Sequence, residues 1–533
     1  MAPSSGAEGM HRLVIALVTF IALTGAAFLA GYLLLFAAST DRASALAPAN
    51  SVFYVNVYLQ PSTGQQMNLS GLIGRLPGFA DEASLDEKVD RVVQNLLGAT
   101  GLGLDYQRHI KPWLGNQVAV AGWPTANDSP EPAAVLIAEV KDRASAEASL
   151  GELAADGGLS FASQTYQGVE LWVADGGAYA FVGEMLVFGA SSEGIEAVVD
   201  AEGDSEALAD REDFRATMAD LPDDHLASAF VDLAALAQAT GTAEQLSALT
   251  TAGATLIAER DGIRLSGSAP FDVEQAASSS AAGFGLGGEP SSLVDWMPED
   301  TVAELVVFGL RQTLEDAEAA AADAAAPQGD EITGALDTIR ALAAFGFGID
   351  IDADLLPLLN REVGLAFTGL DGDLPSGQLL LRPEDPEAAE AALTRIVDRL
   401  VATGASMRTE TGAGAEIKIL TIPQAAEIAY AVRDGIIIMG LGVDEVASAL
   451  QAHADGHVLA GNHRYVQTFE VAGERAGNEA YVDVGAVVDL MGESLDLSDD
   501  GRDILAQIGS FGFTAPSRDD QIEFHAVLTV DEP

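Results

Sequence analysis

The chain of 533 residues contains no cysteine. Its fold therefore needs no disulfide, and the usual zinc-finger, iron–sulfur and thiol-nucleophile chemistries are excluded. Basic residues are also scarce, because 26 Lys and Arg stand against 81 Asp and Glu and give a formal net charge of -55. Such a surface repels nucleic acids and anionic lipid headgroups, which bind through Lys and Arg, and it attracts cations and basic partners.

Recognisable catalytic motifs are missing as well. The sequence has no G-x-S-x-G, Walker A or H-E-x-x-H motif. A G-x-G-x-x-G string at 283–288 follows a Ser/Ala tract rather than a strand, so a linker is the ordinary interpretation. Many carboxylates could act as acid and base, but no arrangement singles out a pair. We therefore expect no enzymatic activity, no catalytic residues and no cofactor.

One long apolar run lies near the N-terminus. Residues 13–38 form a stretch of 26 residues without a charge, whereas a spanning helix needs about 20 and the apolar region of a cleaved signal is about 7–15. We interpret the run as a signal anchor that stays in the membrane, with the N-terminus cytoplasmic and the C-terminal body extracytoplasmic. The small-x-small sequence Ala43-Ser44-Ala45 leaves cleavage after Ala45 open.

The rest of the chain repeats itself. Residues 104–123 match residues 349–369, and the match pairs Asp105 with Asp350, Pro112 with Pro357 and Leu114 with Leu359. Further strand and helix patterns recur in the same order, including acid-capped helices after Asp142 and after Asp385. The sequence therefore predicts an α+β fold in which an N-terminal transmembrane helix is followed by two homologous units with mainly antiparallel sheets and flanking helices.

The predicted organisation follows from these patterns and from a Ser/Ala/Gly-rich stretch. It consists of a cytoplasmic tip at 1–10, the transmembrane anchor at 11–38, a spacer at 39–46, a first repeat unit at 47–274, a flexible linker at 275–292 and a second repeat unit at 293–533. Within the units we predict amphipathic helices at 85–97 and 332–345, a helix at 233–258, and a type I′ hairpin turn at Asp434-Gly435.

Several short motifs resemble a known family. They are Pro-Ala-Asn-Ser at 48–51, Pro-Trp-Leu-Gly at 112–115, Tyr-Gln-Gly-Val at 166–169, Leu-Ala-Asp at 208–210 and Phe-Val-Asp-Leu at 230–233. Together they resemble the bacterial family called domain of unknown function 3352, over residues 46 to 530. The resemblance implies an exported, membrane-anchored protein with no assigned activity and no catalytic residues. The second copy lacks the Trp and Gly of the 112–115 motif, so any role of Trp113 would be confined to the first unit.

Three groups of residues are candidate metal sites. Asp496, Ser498 and Asp500 precede Gly501 as in a calcium-binding loop, but Gln507 stands where calcium needs a bidentate Glu, so a solvated acidic turn is favoured. Asp350, Asp352 and Asp354 alternate along a short run and could share a cation in a turn. However, the Gly and Glu that a calcium-binding loop needs are missing at the right offsets. His453, His457 and His463 could bind zinc, but Gly456 interrupts the helix that would align the first two.

Trp113 is the one residue for which we keep a partner contact open, although tryptophans near strand ends more often fill a core. The leading hypothesis is a non-enzymatic, membrane-anchored binding or envelope-associated structural protein, with an unknown protein, cation or lipid partner and no nucleic acid. The alternative is a solute- or lipid-binding protein with a groove between the two units. A third hypothesis is a hydrolase that uses acidic residues.

Overall fold

The computed structural model describes residues 41–75, 94, 105–124, 133–156, 160–174, 177–202, 207–240, 249–270, 288–315, 340, 349–371, 374–423, 427–491, 505, 507–516, 518 and 521–532. The chain divides into two compact units at residue 270. The predicted anchor lies outside the described residues, as do the helices predicted at 85–97 and 332–345, apart from one residue in each. Where the chain is described, it contains no helix long and apolar enough to cross a membrane.

The first unit is built on an antiparallel sheet. Its strands are β1 (Phe53–Tyr58), β2 (Leu114–Trp123), β3 (Ala133–Val140), β4 (Ala162–Tyr166), β5 (Val169–Ala174), β6 (Gly177–Val182), β7 (Met185–Gly189), β8 (Ala227–Asp232), β9 (Thr251–Ala258) and β10 (Gly262–Pro270). Their order across the sheet is β4-β5-β6-β7-β3-β2-β1-β8-β9-β10.

Helices cover parts of both faces of this sheet. They are α1 (Thr63–Arg75), α2 (Arg143–Asp156), α3 (Ser192–Glu202), α4 (Glu212–Ala219) and α5 (Leu233–Thr240). Apolar residues of α3 and α4 enter the larger core, which includes Ile195, Val198 and Phe214. Ala146 of α2 belongs to a smaller core on Trp113 and Leu186. Since strand side chains alternate between faces, these two apolar cores lie on opposite faces of the sheet.

The second unit is also built on antiparallel strands. Its strands are β11 (Ala303–Phe308), β12 (Glu362–Asp371), β13 (Leu374–Arg382), β14 (Ser406–Gly412), β15 (Ala415–Thr421), β16 (Glu427–Arg433), β17 (Ile436–Gly440), β18 (Asn478–Asp483), β19 (Ile508–Ala515) and β20 (Gln521–Val530). The order is β14-β15-β16-β17-β13-β12-β11-β18-β19-β20, the same as in the first unit when strands are counted in chain order.

The helices of the second unit are α6 (Pro386–Ala402), α7 (Val443–Asp455), α8 (His463–Ala472) and α9 (Val484–Met491), where the structure describes it. The predicted acid caps are confirmed, because Asp142 accepts a hydrogen bond from Ser145 N before α2 and Asp385 accepts one from Ala388 N before α6, each at 3.0 Å. Helices α7 and α8 pack on one face of the sheet, and α6 packs on the other.

Both units begin with a short segment that enters the core. Residues 41–46, predicted as a spacer, instead supply Ala43 and Leu46 to the first core, and Ser44 O accepts a hydrogen bond from Ala209 N. Residues 288–292, predicted as the end of the linker, include the buried Ser291 and lead into the buried Leu293. Each unit therefore starts earlier than the hydrophobic pattern indicates, because these segments carry small and polar residues that pack without forming a strand.

The helix predicted at 233–258 is confirmed at 233–240 and wrong at 251–258, and residues 241–248 lie outside the described residues. Residues 251–258 form β9, whose side chains are alternately buried and half-buried and which pairs with both β8 and β10. The Ala-rich composition favours a helix locally, but pairing on both edges outweighs that propensity. The hairpin turn at Asp434-Gly435 is confirmed, because both residues have positive φ, at 51° and 79°.

Candidate functional site

The second unit has an open apolar cavity of about 530 Å³ on its sheet. It lies on strands β11, β12, β13 and β17, next to the core that α6 covers, since Leu379 and Met439 belong to both. The apolar side chains that line it include Leu305, Leu365, Phe367, Leu379, Met439 and Leu441. The register explains their convergence, because Leu305 pairs with Leu365, Leu365 pairs with Leu379, and Leu379 pairs with Met439 across adjacent strands.

Leucines at this cavity are unusually exposed for their size. Leu305 is 44% exposed, Leu365 49% and Leu441 52%. Clusters of exposed apolar side chains are typical of ligand-binding grooves and of protein or membrane interaction surfaces, whereas single exposed apolar residues are common on protein surfaces. In the first unit, Val55 and Val120 occupy the register positions of Leu305 and Leu365, and Val120 is only 9% exposed. At these two positions the second unit therefore presents larger side chains, and Leu365 is more exposed than Val120.

Two polar side chains of the cavity wall are held by a helix. The Ser376 hydroxyl donates to the Glu445 carboxylate, and Gln378 Nε2 donates to the same carboxylate at 3.1 Å. Glu445 belongs to α7, which lies on the opposite face of the sheet. These polar groups therefore stabilise the wall, and the surface left to a ligand is mainly hydrocarbon.

Behind this wall lie three buried carboxyl groups, of which two have arginine partners. Glu362 accepts a hydrogen bond from Arg382 Nη1 at 2.7 Å, and Glu479 accepts one from Arg475 Nε at 2.8 Å. The third, Glu304, is 3% exposed, and neither of its carboxyl oxygens has a hydrogen-bond partner among the described residues.

Burial raises the pKa of Glu304 and of Glu479. Desolvation raises the pKa of Glu304 well above its usual range, and the neighbouring Glu479 carboxylate raises it further, against a weaker opposing effect of Arg475. Desolvation also raises the pKa of Glu479, although the Arg475 hydrogen bond lowers it in part. Sequence patterns did not indicate Glu304, because a Glu within an apolar strand gives no signal of its partners.

Trp113 is a core residue. Only 6% of it is exposed, its ring packs with Ala146 and Leu186, and its Nε1 donates to His109 O at 2.5 Å. These contacts favour the packing role of Trp113 over the partner contact, because its ring and its N–H are buried within the first unit. Trp123 and Trp296 are also buried, in agreement with the core interpretation of tryptophans.

The repeated turns at 105–110 and 350–355 share a cap. Asp105 accepts a hydrogen bond from Arg108 N, and Asp350 accepts one from Ala353 N, at 3.0 and 3.1 Å. Four residues later, His109 Nδ1 and Asp354 Oδ2 each accept from the backbone N of the capping aspartate. The matched aspartates therefore close a turn in each unit, as an alternative to binding a cation.

Arginines occupy the remaining carboxylates of that acidic run. Asp352 pairs with Arg340, and Asp354 pairs with Arg395 and Arg399. Burial works against ionisation of Asp354, but hydrogen bonds from Arg395, the Asp350 backbone and Arg399 hold its pKa below the usual range. The interpretation of this run as ordinary structure is thus favoured over a cation site.

The described structure does not bring the ring nitrogens of the three histidines together within ligand distance. His453 Nδ1 lies 2.7 Å from Asp295 O, and its ring stacks on Trp296 at 3.6 Å. The helix ends before His457, with Gly456 at φ 75°. Among the described residues, one trio, Glu474, Glu523 and His525, brings its ligand atoms within 4.8 Å of one another, but Arg518 already bridges both glutamates. The calcium candidates Asp496, Ser498 and Asp500 lie outside the described residues.

The fold and this surface define the class: an α+β protein with antiparallel sheets, flanking helices and an apolar cavity on one sheet face. The chain belongs to the family described as "Protein of unknown function (DUF3352)", whose profile matches residues 13–529. The family resemblance seen in the sequence motifs is thus confirmed. No curated protein matches the chain.

Solved structures show only a distant likeness. Crystal form III of TP0453 has a TM-score of 0.23 and 13% identity, and covers 44% of this chain and 81% of its own. Crystal form IV has a TM-score of 0.24 and 9% identity, and covers 42% and 79%.

Proposed function

We propose that this chain is a membrane-anchored, extracytoplasmic, non-enzymatic protein that binds the acyl chain of a lipid in the cavity of its second unit. The observation that carries the proposal is the exposed apolar cavity formed by Leu305, Leu365, Phe367 and their neighbours. Its volume of about 530 Å³ falls in the range of ligand sites, which are roughly 300–1,000 Å³.

An acyl chain suits this lining better than a polar solute. A polar solute needs donors and acceptors to replace the water it loses, and burial without them is costly. The polar wall residues Ser376 and Gln378 already bond Glu445, whereas the leucines offer only hydrocarbon. A lipid headgroup would remain outside, in solvent.

The proposed anchor agrees with the start of the first unit. Asp41 accepts hydrogen bonds from Ala43 N and Ser44 N, and Arg42 pairs with Glu139 and Glu184. Cleavage after Ala45 would remove these residues from the fold, so we propose that the segment before Asp41 is retained and holds the protein at the membrane that supplies its ligand. Intact mass measurement of the chain from expressing cells tests this, and a mature N-terminus at residue 46 contradicts it.

We also propose that the two units arose by duplication, which the identical strand orders and the paired Asp105 and Asp350 caps support. A non-enzymatic role is supported by two of the three buried acids, since Glu362 and Glu479 are bonded to arginines, which leaves them less available as general acid or base.

Photo-crosslinking in cells tests the binding function. Cells that express the full chain are fed a diazirine-bearing palmitic acid, irradiated, and the crosslinked peptides are mapped by mass spectrometry. We expect crosslinks in β11, β12 and β17, and their loss in Leu365→Arg, because a charge in the cavity repels hydrocarbon. Leu136→Arg is the matched control, since Leu136 is 38% exposed on β3 of the first unit. Crosslinks confined to residues 13–38, or unchanged in Leu365→Arg, would overturn the proposal.

A further inference from the structure

Glu304 lacks the partners that a buried carboxylate needs. Its neighbour Glu479 has two hydrogen bonds from Arg475, at 2.8 and 3.2 Å, and a third Arg475 hydrogen bond goes to Ser291 O. These Arg475 hydrogen bonds therefore go to Glu479 and to the backbone, and none of them goes to Glu304. A charged Glu304 would face a second carboxylate in a water-poor interior, which is the arrangement that favours a neutral acid.

The surroundings of Glu304 contain further unpaired polar groups. Tyr481 is its cross-strand neighbour on β18, and Tyr465 projects from α8 onto the same core, with its ring 5.1 Å from that of Tyr481. Both hydroxyls are buried without a partner among the described residues. The charged groups that act on Glu304 are Glu479 and Arg475, Tyr465 and Tyr481 are the titratable groups on the neighbouring elements, and none of the four donates to its carboxyl group among the described residues.

The first unit has a different residue at the position that corresponds to Glu304. Tyr54 stands on β1 where Glu304 stands on β11, because Tyr54 pairs with Ala121 and Phe230 as Glu304 pairs with Ala366 and Tyr481. The Tyr54 hydroxyl donates to Asp41. At this register position, the second unit, which carries the cavity, therefore has an ionisable residue without a hydrogen-bond partner among the described residues.

We propose that Glu304 is a proton-binding site, and that its ionisation loosens β11 and thereby the lipid cavity. Ala303 and Leu305 flank Glu304 on the strand and line the cavity. Since side chains alternate, the carboxyl group points to the opposite face from Leu305. When Glu304 loses its proton, the carboxylate gains stability by reaching water, and the shift of the strand displaces Ala303 and Leu305.

Hydrogen exchange of the full chain in lipid nanodiscs tests the proton site. Protection of residues 303–308 is measured at about pH 6 and about pH 8.5 and corrected for the intrinsic pH dependence of exchange. We expect protection of β11 to fall by about tenfold or more over this interval in the wild type and to be independent of pH in Glu304→Gln, since Gln has the shape of the neutral acid and cannot ionise. Glu445→Gln is the matched control, because Glu445 also lies near the cavity wall but is bonded to Ser376 and Gln378.

The outcomes separate this inference from the binding function. The link to the cavity rests on the proposed lipid binding, whereas the proton site does not. Protection of β11 that is independent of pH in the wild type, or that falls equally in Glu304→Gln, overturns the inference even if lipid crosslinks form. If the protection of β11 depends on pH in the wild type and this dependence is lost in Glu304→Gln, the proton site is supported even if no lipid crosslinks form. With binding established, crosslinking to β11 is expected to decrease at the higher pH in the wild type only.

Discussion

The Tyr54 hydroxyl donates a 2.6 Å hydrogen bond to Asp41 Oδ1, and this bond joins the first strand of the fold to the residues that precede it. Asp41 also accepts from the backbone of residues 43 and 44, and Gln117 Nε2 lies 3.4 Å away. Burial raises the pKa of Asp41, although the Tyr54 bond lowers it in part. The start of the first unit is thus held by a buried polar cluster.

Tyr54→Phe tests the strength of that attachment. The ring can remain in the core, where it is 1% exposed, while Asp41 loses its shortest hydrogen bond. We expect the free energy of unfolding of the first unit to fall by about 1–3 kcal/mol, the cost of removing a buried hydrogen bond to an acidic group. Pulse proteolysis of the full chain in urea measures the change. Tyr166→Phe is the matched control, because its hydroxyl bonds the Asp200 carboxylate near the surface; an equal loss in both variants would contradict the prediction.

The buried pair of Glu362 and Arg382 provides a second test. Glu362 also accepts hydrogen bonds from Ser291 Oγ and Ser292 N, so removal of Arg382 leaves the buried carboxylate with neutral hydrogen-bond donors and with a longer ion pair to Arg361, whose Nε lies 3.8 Å away. We expect Arg382→Met to destabilise the second unit by about 3 kcal/mol, and the double variant Glu362→Leu/Arg382→Met to recover most of the loss. The same proteolysis assay distinguishes the variants. A double variant less stable than Arg382→Met would contradict the prediction, because it would mean that Glu362 stabilises the second unit even without Arg382.

The pH dependence of stability follows from Glu304. Its pKa in the folded chain is raised above that of the unfolded chain, mainly by burial. The neutral acid therefore contributes stability that is fully present below the unfolded pKa of about 4.3 and is lost as the pH rises through the folded pKa. We expect Glu304→Gln to leave the second unit's stability unchanged near pH 4 and to increase it at neutral and alkaline pH. Urea midpoints across the pH range measure this, and a variant destabilised at every pH would refute it.

Several local features of the fold could be predicted from the sequence, because they depend on residues that are close together in the chain. Asp434-Gly435 is a hairpin turn because both residues adopt positive φ. Asp142 and Asp385 mark helix starts because an aspartate before a helix accepts a backbone N–H. By contrast, residues 251–258 form a strand through pairing on both edges, and a distant partner leaves no mark in an Ala-rich segment.

The candidate site was less predictable. Leu305, Leu365 and Leu379 belong to three strands and meet only through register, while each alone looks like an ordinary core residue. Glu304 becomes distinctive only when its missing partners are known. Trp113 shows the reverse case, because a rare and conspicuous residue proves to fill a core.

Close packing behind the cavity strands yields a last prediction, at Gly364 of β12. A Cβ atom placed there would lie 2.8 Å from Met297 Cε and 2.9 Å from Leu293 Cδ1, and both side chains are fully buried. Because a packed core cannot absorb an added methyl group without displacement, we expect Gly364→Ala to lower the free energy of unfolding of the second unit by about 1–3 kcal/mol. Gly151→Ala is the matched control, since open space surrounds Gly151 within α2 and the same substitution should stabilise that helix by about 0.5–1 kcal/mol. Urea titration followed by pulse proteolysis compares the two variants, and a stabilising Gly364→Ala would mean that Met297 and Leu293 are free to repack around the new methyl group.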